Sequence, residues 1–369
     1  MNVVTVSDKI DSRVPLVPDM VKKLLKLEGI NVFVEKGISE VFLDKDYVEA
    51  GATLLGRSDV LAKADIIFGV AKPLVEDLAK LKPGTLSISY LDPFNDKEYL
   101  KELIKYKITA VSLEMIPRTT LAQKMDAVSS QASLAGYTAV ITGADQMNKV
   151  IPMMMTPAGT ISPAKVFIIG AGVAGLQAIA TAKRLGARVL AFDTRAVVKE
   201  QVESLGGKFL EIDLGETGQT KDGYAKALTE EQLEIQQAAM TRSIQDSDLV
   251  ITTAKLFARK APIIIKAEVL KGMKHGSVIV DLAASTGGNV EGTVVDKVVE
   301  LHGVKIIGHK YLPARVTRDA SNMLSSNLVS FVSHFWDNEN KQFDYSDDDI
   351  LKGCLVTKDG EIVNERVGG

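Results

Sequence analysis

A β-branched run at Lys165–Ile169 passes directly into Gly170-Ala171-Gly172-Val173-Ala174-Gly175, and a helical pattern follows at 173–185. Few folds accept that junction. The first glycine makes the tight turn, the second lets backbone approach a pyrophosphate, and the third lets helix and strand pack closely. The helix N-terminus adds unpaired N–H groups and a partial positive charge. Asp193 ends the next expected strand, 189–192, and lies 18 residues after Gly175. An acid there accepts bonds from ribose hydroxyls and repels a 2′-phosphate, which favours NAD. Arg195, two residues on, suits a 2′-phosphate, so both nicotinamide cofactors stay open at this point. The candidate cofactor contacts are Gly170, Gly172, Val173, Ala174, Gly175, Asp193, Thr194 and Arg195. The competing reading is a glycine-rich turn that binds nothing, with Asp193 as a cap.

The rest of the chain repeats strand–helix alternation. In the first half, strands are expected at 2–6, 32–35, 66–70, 86–89 and 108–111. Helices are expected at 18–27, 46–52, 73–81 and 96–106, with Pro18 and Pro73 in first turns. In the second half, a helix at 197–205 and strands at 209–212, 249–252, 277–281 and 305–307 are expected. A polar, glycine-punctuated loop interrupts at 215–223. After Tyr311 the strand pattern ends, leaving a helix at 319–335 and an acidic, loop-rich tail. Alternation of this kind predicts an α/β fold of two doubly wound parallel-sheet domains, the second a Rossmann domain. Residues 1–130 plus 320–369 are expected to form a flavodoxin-like domain completed by the C-terminal helix and tail. Residues 131–319 are expected to form the dinucleotide-binding domain, with the cofactor in the cleft between the two.

Composition excludes several partners. Lys plus Arg is 44 against 47 Asp plus Glu in 369 residues, so no basic surplus exists to hold a phosphate backbone. One cysteine, Cys354, excludes an intramolecular disulfide framework and a Cys-based zinc site, and suggests a reducing compartment. No metal site is expected. The apolar stretch between Lys165 and Lys183 is broken by three glycines and is shorter than the about 20 residues of a membrane span. The amino terminus lacks a signal-peptide pattern. A soluble chain able to dock on a membrane protein is expected.

Between the halves lies Pro117-Arg-Thr-Thr-Leu-Ala-Gln-Lys-Met-Asp-Ala-Val-Ser-Ser-Gln131. Gln123, Asp126 and Ser129 or Ser130 recur at helical spacing, on one face of a helix, and Arg118 precedes them. An arginine, an amide, a carboxylate and a hydroxyl together suit a polar ring or carboxamide. A capping box, Thr120 with Gln123, and a solvated helix face are the plainer readings.

These segments resemble a known family. The run 117–137, then Met153-Met-Met-Thr-Pro-Ala-Gly-Thr-Ile161, then the long block 165–186 are similar to proton-translocating NAD(P) transhydrogenases, in the alpha subunit carrying the NAD(H)-binding domain I. The resemblance continues through Lys199-Glu-Gln-Val-Glu-Ser-Leu-Gly-Gly-Lys-Phe209, Gly223-Tyr-Ala225 and Val278-Ile-Val-Asp-Leu-Ala-Ala284. It implies that Arg118, Gln123, Asp126 and Ser129 hold the nicotinamide and ribose near a partner. It implies that Gly223 and Tyr224 belong to a mobile loop closing over the nucleotide. Asp193 and Arg195 resemble the adenosine-ribose contacts, and Gln236, Ala254 and Lys255 fall, by the resemblance, where the family's strand ends face the cofactor. The resemblance also implies NADP(H) on a partner domain, a homodimer and a proton-translocating membrane subunit. The expected location is cytoplasmic, peripherally associated with the inner membrane. Ser285, Pro157 and the middle residue of Asp193-Thr-Arg195 depart from the family pattern.

A sister group, alanine dehydrogenase, shares the two-domain plan. Arg13 and Lys72 resemble its pyruvate-holding positions, but its catalytic histidine and aspartate fall on Asp92 and Ser285. All four histidines, His275, His302, His309 and His334, lie beyond residue 274. Oxidising an amine or alcohol needs a proton acceptor, most often histidine. Passing hydride between two nicotinamides moves no proton at the reacting carbon and needs positioning above all. The alternatives are a stand-alone amino-acid dehydrogenase and a non-catalytic NAD-binding homologue.

Overall fold

The computed structural model describes residues 1–214, 228–256, 258–346 and 348–368. The chain divides into two compact units, Met1–Gln131 with Val316–Gly369, and Ala132–Arg315.

In the first unit, β1 (Asn2–Thr5), β2 (Asn31–Glu35), β3 (Thr53–Leu55), β4 (Ile66–Ala71), β5 (Leu86–Tyr90) and β6 (Thr109–Ser112) form a parallel sheet in the order 3-2-1-4-5-6. Val3, Val4, Ile66, Phe68, Ile88 and Val111 are buried to 1% exposure or less. Strands this apolar suit a parallel sheet with both faces covered. The five strands expected from sequence lie in flavodoxin-type order. Thr53–Leu55 adds an edge strand too short and too exposed to carry a period-2 signal. Pro18 occupies the first turn of the helix Pro18–Leu24. Pro73 does not occupy a first turn, because the helix it was expected to open is only Val75–Leu78, with Leu74 at its N-cap.

The tail corrects a second expectation. Strands Leu355–Lys358 and Glu361–Ile362 extend this sheet antiparallel beyond β6. Thr357 Oγ1 donates to the Ile108 carbonyl at 2.8 Å, so a pairing partner almost 250 residues away makes a strand of a stretch that reads locally as loop. The helix Thr317–His334 buries Leu324, Leu328, Phe331 and Val332 completely. Its Ser321 and Ser325 hydroxyls accept the Val14 and Val17 N–H groups at 3.0 and 3.1 Å.

In the second unit an exposed hairpin, β7 (Met154–Thr156) and β8 (Gly159–Ile161), precedes the main sheet. Its main sheet comprises β9 (Lys165–Ile169), β10 (Arg188–Phe192), β11 (Lys208–Phe209), β12 (Leu249–Thr252), β13 (Val278–Asp281), β14 (Val298–Leu301) and β15 (Val304–Ile307), in the order 11-10-9-12-13-15-14. All neighbours are parallel except β14 on β15. The third expected strand, 209–212, is confined to Lys208–Phe209. The order reverses between β9 and β12, a topological switch point, where ligands of open α/β sheets bind. Ile169 registers with Phe192 and with Thr252, and Thr252 registers with Asp281. The carboxyl ends of four strands therefore stand side by side and deliver Gly170, Asp193, Thr253 and Leu282 to one edge. Both units are α/β with parallel sheets, as the sequence predicts.

Candidate functional site

At the switch point the chain leaves β9 through Gly170, whose φ is +98°. A Cβ there would also lie 2.3 Å from Thr253 Oγ1, and that hydroxyl donates to the Ile169 and Gly170 carbonyls. The helix Val173–Arg184 starts with Gly172 as N-cap and no side-chain cap. Gly172 itself offers no side chain to occupy the first N–H groups, which favours an anion site there. A Cβ on Gly175 would lie 1.8 Å from the Gly170 carbonyl oxygen, so only glycine permits this strand–helix approach. Gly172 differs: a Cβ would meet nothing nearer than Arg195 Nη2 at 4.0 Å. The glycine is not needed for packing, and the space above it suits an approaching ligand. From the other side, the helix Ala127–Gln146 closes in at Gly136, where a Cβ would be 2.1 Å from the Ala174 carbonyl oxygen.

Asp193 follows β10 and is buried. Its carboxylate accepts the Ala171 and Arg195 backbone N–H groups at 2.8 and 2.9 Å. It also accepts Arg195 Nε at 2.9 Å and Nη2 at 2.8 Å. The hydrogen bond to Asp193 raises the Arg195 pKa further, against the cost of burial.

The loop after β13 is organised around Asp281, which is completely buried. Its carboxylate accepts from Thr252 Oγ1, Thr293 Oγ1 and the N–H groups of Ala283, Asn289 and Val290, at 2.7–3.3 Å. Asn289 in turn clamps the segment after β12, accepting the Ala254 N–H and donating to the Ala254 and Pro262 carbonyls. Ala254 is thereby fixed at the strand end. Lys255 is surface-accessible, yet desolvation around its ammonium lowers its pKa, with the Asp281 charge opposing. Gln236, on the helix Glu230–Gln245, is buried, and among the described residues its Oε1 has no hydrogen-bond partner. A buried carbonyl left without a donor costs about 1–3 kcal/mol, and a ligand donor would recover it. The open space over Gly172 and this orphaned acceptor both suit a dinucleotide. Gly223 and Tyr224 lie outside the described residues. Asp281 and Asn289 escaped the sequence reading, because an aspartate followed eight residues later by an asparagine has no distinctive spacing. Only the turn through Gly287 and Gly288, both with positive φ, brings them together.

The remaining predicted residues lie in the first unit, and here the structure corrects the sequence. Residues 117–131 are not one helix. Leu121–Met125 forms a 3-10 turn, the chain breaks at Asp126, and the α-helix begins at Ala127. The reason is capping: Asp126 accepts the Ser129 N–H at 2.8 Å and Ser129 Oγ at 2.6 Å, the geometry of an N-cap. Asp126 and Ser129 are brought together by that cap rather than by helical periodicity, while Arg118 and Gln123 are exposed on the segment before it. Thr120 makes no side-chain cap; Thr119 Oγ1 instead accepts the Ala122 N–H. Asn327 from the C-terminal helix fixes the break by donating to the Lys124 carbonyl and accepting from Ser130 Oγ.

The two cations resembling a carboxylate site are both engaged internally. Arg13 is buried, with Nε and Nη2 on Asp11 at 2.5–3.1 Å and Nη1 on Gln131 Oε1 at 2.7 Å. Lys72 pairs with Asp96 and lies 4.8 Å over the Tyr99 ring. That pairing holds the Asp96 carboxyl below its usual range. Asp92 is exposed with φ +52°, and its side chain accepts from Asn95.

Comparisons with known proteins agree with this architecture. Residues 6–135 match the family "Alanine dehydrogenase/PNT, N-terminal domain" and residues 139–365 match "Alanine dehydrogenase/PNT, C-terminal domain". The chain is 42% identical to the first part of the NAD(P) transhydrogenase alpha subunit of Rhodospirillum rubrum, over 97% of this chain and 96% of the relative. The crystal structure of transhydrogenase from Sinorhizobium meliloti superposes with a TM-score of 0.85 at 38% identity, covering 99% of each chain. An L-alanine dehydrogenase structure gives 0.81 at 25% identity, covering 100% of this chain and 98% of that one. On this similarity across both units, the chain belongs to the alanine dehydrogenase/PNT family and is homologous to NAD(P) transhydrogenase alpha subunits over nearly its whole length.

Proposed function

We propose that this chain is the NAD(H)-binding component of a proton-translocating NAD(P) transhydrogenase of the Si/Re-specific type. Hydride passes directly between NADH and NADP⁺ held on a partner domain, and a membrane subunit couples the transfer to proton movement. Gly170, Gly172, Val173, Ala174 and Gly175 hold the pyrophosphate. Asp193, Thr194 and Arg195 serve the adenosine ribose, and Gln236, Ala254 and Lys255 serve the strand-end side of the nucleotide. Arg118, Gln123, Asp126 and Ser129 position the nicotinamide end, with Gly223 and Tyr224 covering it. The bound dinucleotide supplies the hydride, and these side chains bind, orient and exclude water.

One observation carries the choice over the sister activity. Arg13, which by the resemblance would hold a substrate carboxylate in an alanine dehydrogenase, is already neutralised by Asp11 in a buried pair and donates to Gln131. Removing one partner of such a pair is costly, so Arg13 is poorly suited to a second anion. By the sequence resemblance, Asp92 and Ser285 fall where the sister group's acid–base residues would be.

The assembly belongs to the same reading. Among the described residues no helix is long and apolar enough to cross a membrane, and we place the chain on the cytoplasmic face of the inner membrane through its partner subunit. Met153, Met154, Met155 and Ile161 leave 39–82% of their surface exposed on and before the β7–β8 hairpin. An apolar patch of this kind suits a second copy of the chain in a homodimer.

The test is reduction of an acetylpyridine analogue of NAD⁺ by NADPH, with and without a purified NADP(H)-binding partner domain. Turnover only in the mixture is expected, and none with alanine plus NAD⁺. Normal NADH binding without transfer in the mixture would leave a non-catalytic homologue, and turnover of alanine would establish the sister activity.

A further inference from the structure

The Asp193 carboxylate presents about four lone-pair positions, and all are taken by the protein itself, one by the glycine turn and three by Arg195. Two are held by backbone N–H groups, Ala171 at 2.8 Å and Arg195 at 2.9 Å. The other two are held by the Arg195 side chain, Nε at 2.9 Å on Oδ1 and Nη2 at 2.8 Å on Oδ2. The backbone donors keep the carboxylate in place whatever the guanidinium does. The guanidinium presents two donors side by side, which is also what the 2′,3′-diol of a ribose presents. Diol and guanidinium compete for the same two acceptor positions. The Nη2 atom also stands at the mouth of the glycine turn, 4.0 Å from where a Cβ on Gly172 would be.

The geometry points to Arg195 as a specificity-determining residue that acts as an internal stand-in for the adenosine ribose diol. Asp193 can accept the two ribose hydroxyls only after releasing the Arg195 side chain. The released guanidinium then lies within reach of any 2′-phosphate. Arg195 therefore weakens NADH binding and softens the exclusion of NADPH that Asp193 alone would impose. This inference rests on the dinucleotide reading of the site, and it reverses the sign expected of a simple ribose contact. Arg195 also attracts the pyrophosphate by its charge. That attraction is screened by solvent and is weaker than the charge-assisted, bidentate pair that NADH has to displace.

Isothermal titration of the full chain with NADH and NADPH tests it, comparing wild type with Arg195→Met. Methionine fills much of the stem volume and offers no donor, while the residue 195 N–H still supports Asp193. Because the pair is partly exposed, the expected tightening for NADH is about 3- to 10-fold, with NADPH weakened by a similar factor. Weaker or unchanged NADH binding in Arg195→Met, with an unshifted melting temperature, would overturn the proposal. A wild-type chain that binds NADH while the variant binds it less refutes only the role of Arg195. A wild-type chain that binds no NADH refutes the dinucleotide reading itself.

Discussion

Replacing Gly175 with alanine places a Cβ 1.8 Å from the Gly170 carbonyl oxygen and 2.9 Å from its carbon. Both are backbone atoms of a turn already held by the Gly170 N–H to the Phe192 carbonyl at 2.8 Å and by Thr253. Neither can rotate away, so the helix Val173–Arg184 has to move off β9. Overpacking of this kind costs about 1–3 kcal/mol, and immovable backbone puts it at the upper end. Alanine returns at most about 1 kcal/mol through its better helix propensity. The net loss of about 2 kcal/mol lowers the melting temperature by roughly 4–8 °C for a unit of this size. Gly172→Ala is the control, because its Cβ meets nothing nearer than Arg195 Nη2 at 4.0 Å. Its stability should change by no more than about 0.5 kcal/mol. Its NADH affinity should fall at least about tenfold, as the methyl group occupies the approach to the backbone. Calorimetric melts together with NADH titrations measure both quantities on both variants. A Gly175→Ala chain that melts with wild type would refute the packing argument. A Gly172→Ala chain that binds NADH normally would refute the assignment of that space to the cofactor.

Two further outcomes follow from groups the site does not use. Cys354 is completely buried, and burial pushes its thiol well above the usual range. It should stay unreactive toward a disulfide reagent at pH 8 until the first unit unfolds; rapid labelling of the native chain would contradict that burial. Glu114 accepts the Leu91 N–H at 3.0 Å and also the Asp92 N–H, yet desolvation raises its pKa. A raised folded-state value means that its contribution is full below the unfolded glutamate pKa and lost as pH rises through the folded one. Glu114→Gln should therefore flatten the pH dependence of the first unit's stability on the alkaline side of that transition. Identical pH profiles in urea melts of variant and wild type would exclude the effect.

The parallel strands were legible because each carries its own signal. A run such as Val-Phe-Ile-Ile before Gly170, or Val-Ile-Val-Asp at 278–281, is apolar enough to be buried on both faces wherever it lies. Thr53–Leu55, Val298–Leu301 and Leu355–Lys358 were missed for the complementary reason. They are edge or near-edge strands of three or four residues, and each becomes a strand through the neighbour it pairs with. The segment 117–131 misled in a different way. Gln123, Asp126 and Ser129 have helical spacing, but Asp126 prefers to cap the following helix through Ser129, and the periodicity is accidental.

Sequence alone determined the α/β class, the glycine turn and the acid that ends the next strand, because these rest on local chemistry: a φ that glycine favours, a strand–helix approach closed to a Cβ, a carboxylate one strand away. Only the tertiary structure decided how the charges are spent. Asp193 beside Arg195, Arg13 between Asp11 and Gln131, and Asp281 under five donors are all pairings in which one group's availability depends on what folding brings against it. Residue type reveals that a carboxylate or guanidinium is present. Whether it is left for a ligand or consumed by the protein is set by neighbours that converge in space, and desolvation makes that choice strong.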